Sequence, residues 1–163
     1  MNHKGLLIDE HQMALIDKVL VRLRCLTRAQ LVALISASGQ PIGFAPTDAE
    51  TDTVSLAALA AGSFAATRQL AELLKEREFT LLFHEGKESN LHVMQVTEDV
   101  LLLITFGRDV QIGRMRLFTQ RAVEVLKPIL ESADLSSRLT GPVLLDEDYW
   151  NQAGSAIDAL PDE

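Results

Sequence analysis

Residues 52–76 read DTVSLAALAAGSFAATRQLAELLKE, one long helix with almost nothing to show water. No charge falls between Thr53 and Thr67. Asp52 or Thr53 is placed to accept from the free N–H groups of the first turn, and Glu76, followed by strand-like residues, marks the far end. At about 1.5 Å per residue the stretch spans roughly 37 Å, longer than an average domain helix. Leu56, Leu59, Ser63, Thr67, Leu70 and Leu74 recur at helical spacing and form the bulky row, expected to pack on the domain's own sheet. The other rows are alanine-rich and include Gly62, so a second side offers close approach to another surface. A helix apolar on two sides wants two partners. Alanine is also the strongest helix former, which alone accounts for much of its abundance. The charge-free length is what points to a subunit contact.

Composition bounds the rest. The 163 residues, 47% of them hydrophobic, suffice for one domain that buries about two thirds of its unfolded surface. No run approaches the roughly 20 apolar residues of a membrane span, and MNHKGLLIDEHQ lacks the apolar segment of a signal peptide, so a cytoplasmic chain is expected. The single Cys25 cannot form an intrachain disulfide and, in an apolar helix, reads as core rather than nucleophile. A formal charge of −8 argues against nucleic acid and anionic membranes as partners. Most of that charge sits after Ala133, which leaves a nearly neutral body and an acidic tail.

In chain order, Met13, Ile16, Leu20 and Leu23 define a first helix from about Ile8 to Cys25. The runs Leu31 to Ile35 and Pro41 to Ala45, joined by ASGQ, form a hairpin, with Pro41 and Gly43 marking the second strand as an edge. After the long helix, Phe79 to Glu85, Asn90 to Val96 and Val100 to Phe106 form an antiparallel meander, with Leu101 to Ile104 apolar on both faces and therefore central. A last helix from about Val110 to Glu131 carries Met115, Phe118, Ala122, Val125 and Ile129 on its inner row, and Pro128 is expected to bend or fray its final turn. The order α-β-β-α-β-β-β-α predicts an α+β sandwich, a five-stranded antiparallel sheet between helix layers.

Chemistry-bearing motifs are absent. There is no GxGxxG, GxxxxGK or CxxC, so no cofactor or metal is expected from motif. His84 and His92 are candidates for one face of the third and fourth strands, but a metal there needs a third ligand, with only Glu85 and Asn90 nearby. Arg108, Arg114 and Arg116 are candidate inserted arginines toward a partner's phosphate, although arginines at a helix start are more often solvated or paired.

The hairpin SASGQPIGFA, the helix DTVSLAALAAGSFAATRQLAELL, the strand-turn FHEG and the loop-helix FGRDVQIGRMRLFTQRAVEVL together resemble the roadblock family of dynein light chains, most of all its bacterial members that partner a Ras-like polarity GTPase. The likeness covers about Ile8 to Glu131. It implies a roadblock-like, profilin-like domain over residues 8–132 and a homodimer in which long helices pair and edge strands join. It further implies that two protomers dock on one small GTPase and stimulate hydrolysis without supplying a catalytic arginine. The family positions that matter for the GTPase fall on Ala65 and on Gln69, where the family carries Gly. Helical spacing and the charge gap extend these two positions to a contact row, Ala58, Ala61, Ala65, Gln69 and Glu72, flanked by Phe64 and Arg68.

Residues 133–163 read as an acidic, largely disordered tail. Within it, LDEDYWNQAGSAIDAL places Trp150, Ala153, Ile157 and Leu160 on one side of a short helix that would fold onto a partner. The resemblance implies that such a tail meets a second surface of the GTPase. Three function classes follow: a GTPase-activating regulator without catalytic residues, a roadblock scaffold that binds a GTPase or motor component without changing its rate, and an enzyme or small-ligand sensor. The last has least support, since no convergent polar set is visible.

Overall fold

The computed structural model describes residues 6–46 and 50–138. The elements are α1 (Glu10–Thr27), β1 (Leu31–Ser36), β2 (Pro41–Pro46), α2 (Thr53–Leu73), β3 (Leu81–His84), β4 (Ser89–Thr97), β5 (Val100–Gly107) and α3 (Ile112–Arg138), in the expected order. All neighbours in the sheet pair antiparallel in the order β2-β1-β5-β4-β3, so β2 is an edge strand and β5 lies at the centre, flanked by β1 and β4.

Local chemistry sets the boundaries. Asp9 caps α1 through a reciprocal box, its carboxylate accepting from the Gln12 N–H at 2.7 Å while the Gln12 side chain accepts from the Asp9 N–H at 2.9 Å. Arg28 closes the helix in the left-handed region, φ 56°, its N–H bonded to the Arg24 carbonyl. Asp52 caps α2 and accepts from the Ser55 N–H at 3.0 Å. Those Ser55 hydrogen bonds, side chain first and backbone second, hold its carboxyl below the usual carboxylate range. The far end of α2 comes earlier than Glu76, because Lys75 turns to φ 62° and donates to the Glu72 carbonyl.

Two cores form on the two faces of the sheet. α1 and α3 cover one, with Ile16, Leu20, Leu23, Leu34, Leu102, Ile104, Phe106, Met115 and Leu126 fully enclosed. α2 covers the other against Leu31, Ile35, Val93, Leu101 and Leu103. Here the structure corrects the expected orientation of α2. Ala57, Ala60, Ala61 and Phe64 face the sheet, whereas Leu59, Leu70, Leu73 and Leu74 are exposed. The sheet surface is itself built of bulky aliphatics, so close packing calls for small residues opposite, and the leucines are displaced to the flank.

α3 also differs from expectation. It runs unbroken through Pro128 to Arg138, past the end expected for this helix near Glu131. Proline inside a helix costs about 3 kcal/mol. Leu126, Ile129 and Leu130 around it are at most 1% exposed, and fully burying each contributes about 1.5–3 kcal/mol, which outweighs the loss. The tail residues Trp150, Ala153, Ile157 and Leu160 lie outside the described residues.

His92, on β4, is enclosed under α3 at 1% exposure, and among the described residues its Nε2 has no hydrogen-bond partner. Burial first, and the Arg116 charge second, lower its pKa to about 4. The folded protein thus holds His92 neutral, while the unfolded chain takes up a proton below about pH 6.5. Stability is therefore full above pH 6.5 and falls as pH drops toward 4, by on the order of 3 kcal/mol from this group. Urea unfolding at pH 7 and pH 5 should show about 2 kcal/mol of this loss in the wild type and a smaller loss in His92→Leu.

Candidate partner-binding surface

Viewed down its axis, α2 has three sides. The first is the alanine face against the sheet, pinned by Phe64, whose ring meets Phe79 at 4.9 Å between centroids. The second is the uncovered leucine flank. The third looks toward the end of the sheet that carries the β1–β2 and β4–β5 turns. On that third side Ala61, Phe64, Ala65, Arg68, Gln69 and Glu72 line an open groove with Ala37, Gln95, Glu98 and Leu101.

The expected contact residues thus divide by depth. Ala61 and Phe64, both 4% exposed, belong to the protomer's own packing and supply only the floor of the groove, so Phe64 does not flank the contact as an exposed anchor. Ala65, Arg68, Gln69 and Glu72 form its exposed helical wall. Ala58 is exposed farther toward the helix start and lies outside the groove lining, beside Gly39 of the β1–β2 turn. Arg68 and Glu72 are 4.0 Å apart across one helical turn and both exposed, so the pair orients the two side chains with little energy of its own. An adjoining groove, lined by Arg68, Glu72, Glu76, Arg77, Glu78, Phe79, Thr80 and Gln95, extends this wall with charges of both signs. Gln95 and Glu98 come from the β4–β5 hairpin, which periodicity in α2 alone did not bring to the site.

The other sequence candidates separate. Phe83, not His84, is the register partner of His92, so the two histidines sit on opposite faces of the sheet and make no ligand pair. Among the described residues no cluster of His, Cys, Asp or Glu could hold a metal ion. Arg108 lies at the other end of the sheet, 3.9 Å from Glu85 and donating to the Lys87 carbonyl. Arg114 and Arg116 are on α3, across the sheet from the groove, with Arg114 placed over the Phe118 ring at 5.3 Å. Cys25 is exposed, not core, because its position on α1 falls opposite the buried Ile16 and Leu23. Among the described residues no helix is long and apolar enough to cross a membrane.

Comparison with known proteins agrees with this architecture. The family model described as Roadblock/LC7 domain matches residues 15–106. Among solved structures, the chain is similar to Myxococcus xanthus MglB at 38% identity and a TM-score of 0.69, covering 72% of this chain and 95% of that one. The gliding protein mglB from Thermus thermophilus is 29% identical with a TM-score of 0.74, covering 78% and 97%. An MglB with a tetrameric arrangement is 29% identical with a TM-score of 0.75, covering 79% and 97%. No curated protein matches in the sequence search.

The division by depth is measurable in urea unfolding. Phe64→Ala should destabilise the fold by about 3–5 kcal/mol, and Ala65→Arg by no more than about 0.5 kcal/mol, as for an exposed helix position.

Proposed function

The chain belongs to the Roadblock/LC7 family, and from that premise we propose that it is a homodimeric regulator of a Ras-like small GTPase of the MglA kind, stimulating GTP hydrolysis without catalytic residues of its own. The observation that carries the reading is α2 itself, a helix whose sheet-facing side is complete while two further sides stay open. The leucine flank, Leu59, Leu70 and Leu74, serves the second protomer, and the groove wall, Ala65, Arg68, Gln69 and Glu72, serves the GTPase. Similarity to an MglB with a tetrameric arrangement supports self-association.

A Ras-like GTPase is slow because the groups that stabilise charge on the transferred phosphoryl are not held in place. Holding them is worth several powers of ten in rate. A rigid helix wall does this by restricting the partner's mobile loops. Small residues such as Ala58 and Ala65 allow backbone-close seating, and the Arg68 and Glu72 pair offers charges of both signs at the rim. Outside the described residues, Trp150, Ala153, Ile157 and Leu160 provide a second contact for the same partner.

Single-turnover GTP hydrolysis by the cognate GTPase tests the assignment. The wild-type chain should accelerate it and Ala65→Arg should not, with the dimer intact by size-exclusion chromatography; binding without acceleration would make the protein a scaffold, and full stimulation by Ala65→Arg would remove the groove. Leu59→Asp with Leu70→Asp should give monomers. Deleting residues 140–163 should weaken GTPase binding while the remaining chain still folds, as read by circular dichroism.

A further inference from the structure

On the face of the sheet opposite the groove, α1 and α3 form an outer layer that the proposed function does not use. They run antiparallel, since Gln12 at the start of α1 donates through Nε2 to the Ile129 carbonyl at 3.4 Å and to Ser132 Oγ at 3.1 Å near the end of α3. The second half of α1 therefore lies beside the first half of α3. The charge on these halves is mostly basic, Glu124 being the one acid, in a chain whose total is −8. Residues 18–30 include Lys18 and Arg22 and no acid, and residues 110–123 include Arg114, Arg116 and Arg121 and no acid. Helical spacing sets Arg22, Arg114 and Arg121 along the seam between the helices. Stacking on Phe118 helps fix the Arg114 guanidinium. Val21 and Leu117 stand about half exposed on the same layer. Cations interleaved with exposed aliphatics match an acidic peptide that has an apolar stripe.

We propose that this α1–α3 face is the resting dock of the chain's own C-terminal segment, residues 140–163. That segment has the complementary composition: Asp146, Glu147, Asp148, Asp158, Asp162 and Glu163 with no basic residue, and Trp150, Ile157 and Leu160 as its apolar stripe. Its length fits. α3 is described as far as Arg138, and Arg121 lies about 25 Å back along the helix at 1.5 Å per residue. The stretch from Leu139 to Asp146 reaches about 26 Å when extended, enough to set the acids 146–148 beside Arg121. Attachment to α3 also presents the segment at an effective concentration on the order of millimolar, ahead of any free acidic partner. Docking is driven by the chain's own charges and is independent of whether the groove on α2 binds a GTPase.

Trp150 is the single tryptophan of the chain and reports the dock directly. In the full chain its emission should be blue-shifted and resistant to acrylamide relative to a synthetic 140–163 peptide. Arg114→Glu with Arg121→Glu should move both readings to the peptide's values, whereas Arg114→Lys with Arg121→Lys should keep them. Circular dichroism and the unfolding midpoint verify that both double variants fold. Raising salt from about 0.15 M to about 1 M, which shortens the screening length from about 8 Å to about 3 Å, should weaken the protection. Protection that survives charge reversal would put the segment elsewhere and overturn the proposal. So would a Trp150 as exposed in the full chain as in the peptide. Charge-dependent binding to phosphatidylglycerol vesicles by a chain whose Trp150 is unprotected without them would assign the face to an anionic membrane instead.

Discussion

The close approach of α2 to the sheet is the constraint on which the rest depends. Leu31, Ile35, Val93, Leu101 and Leu103 fill the sheet surface, so the helix meets them with Ala57, Ala60 and Ala61 and uses one large side chain, Phe64, to close the gap toward Phe79. Small residues on the inner side leave the bulky ones elsewhere on the cylinder. The exposed leucine flank is thus a direct result of how the core is packed, and an uncovered apolar row of that kind is what a second chain surface would bury. At the start of the helix Gly39 makes the approach still tighter. Its φ is +90°, and any Cβ there would come within 2.9 Å of the Ala58 backbone. Core packing, the seating of the β1–β2 turn and the open sides of α2 share this one cause.

Much of this was legible in the sequence. Alternation and turn residues gave the element order, the edge position of β2 and the central place of β5, because period-two and period-3.6 patterns report which residues avoid water. The facing of α2 was not legible. Hydrophobicity ranks leucine above alanine and so assigns leucine inward, but the deciding quantity was volume complementarity with a sheet whose own residues lie far away in sequence. Pro128 is a similar case, since its local cost is visible in the sequence and the tertiary burial of Leu126, Ile129 and Leu130 that exceeds it is not. His84 and His92 are near each other along the hairpin, but a register that sets Phe83 opposite His92 puts them on opposite faces. For the groove, helical spacing found the wall from Ala65 to Glu72, and only the folded chain could add Gln95 and Glu98.

The two faces of the sheet differ in charge. On the α2 side the groove wall is small and mixed in sign, with Arg68 and Glu72 partly neutralising one another. On the α1–α3 side helical spacing lines Arg22, Arg114 and Arg121 along the seam, although the whole chain is acidic. The sheet between them is apolar on both faces at β5, so the two surfaces are separated by a continuous low-dielectric layer. A partner seated on one would therefore be distinguished from an occupant of the other by chemistry as well as by position.

The position of β5 also has a bearing on how the chain assembles. Its neighbours are β1, from the start of the molecule, and β4, just before it. Everything between β1 and β5, the whole of α2 included, has to be synthesised before the middle of the sheet exists. Until then the β1–β2 hairpin has an open apolar edge and α2 has no platform to rest on. Nascent chains at that stage expose backbone that invites wrong pairing, and the closing of a long loop sets the tempo of the step that ends their vulnerability.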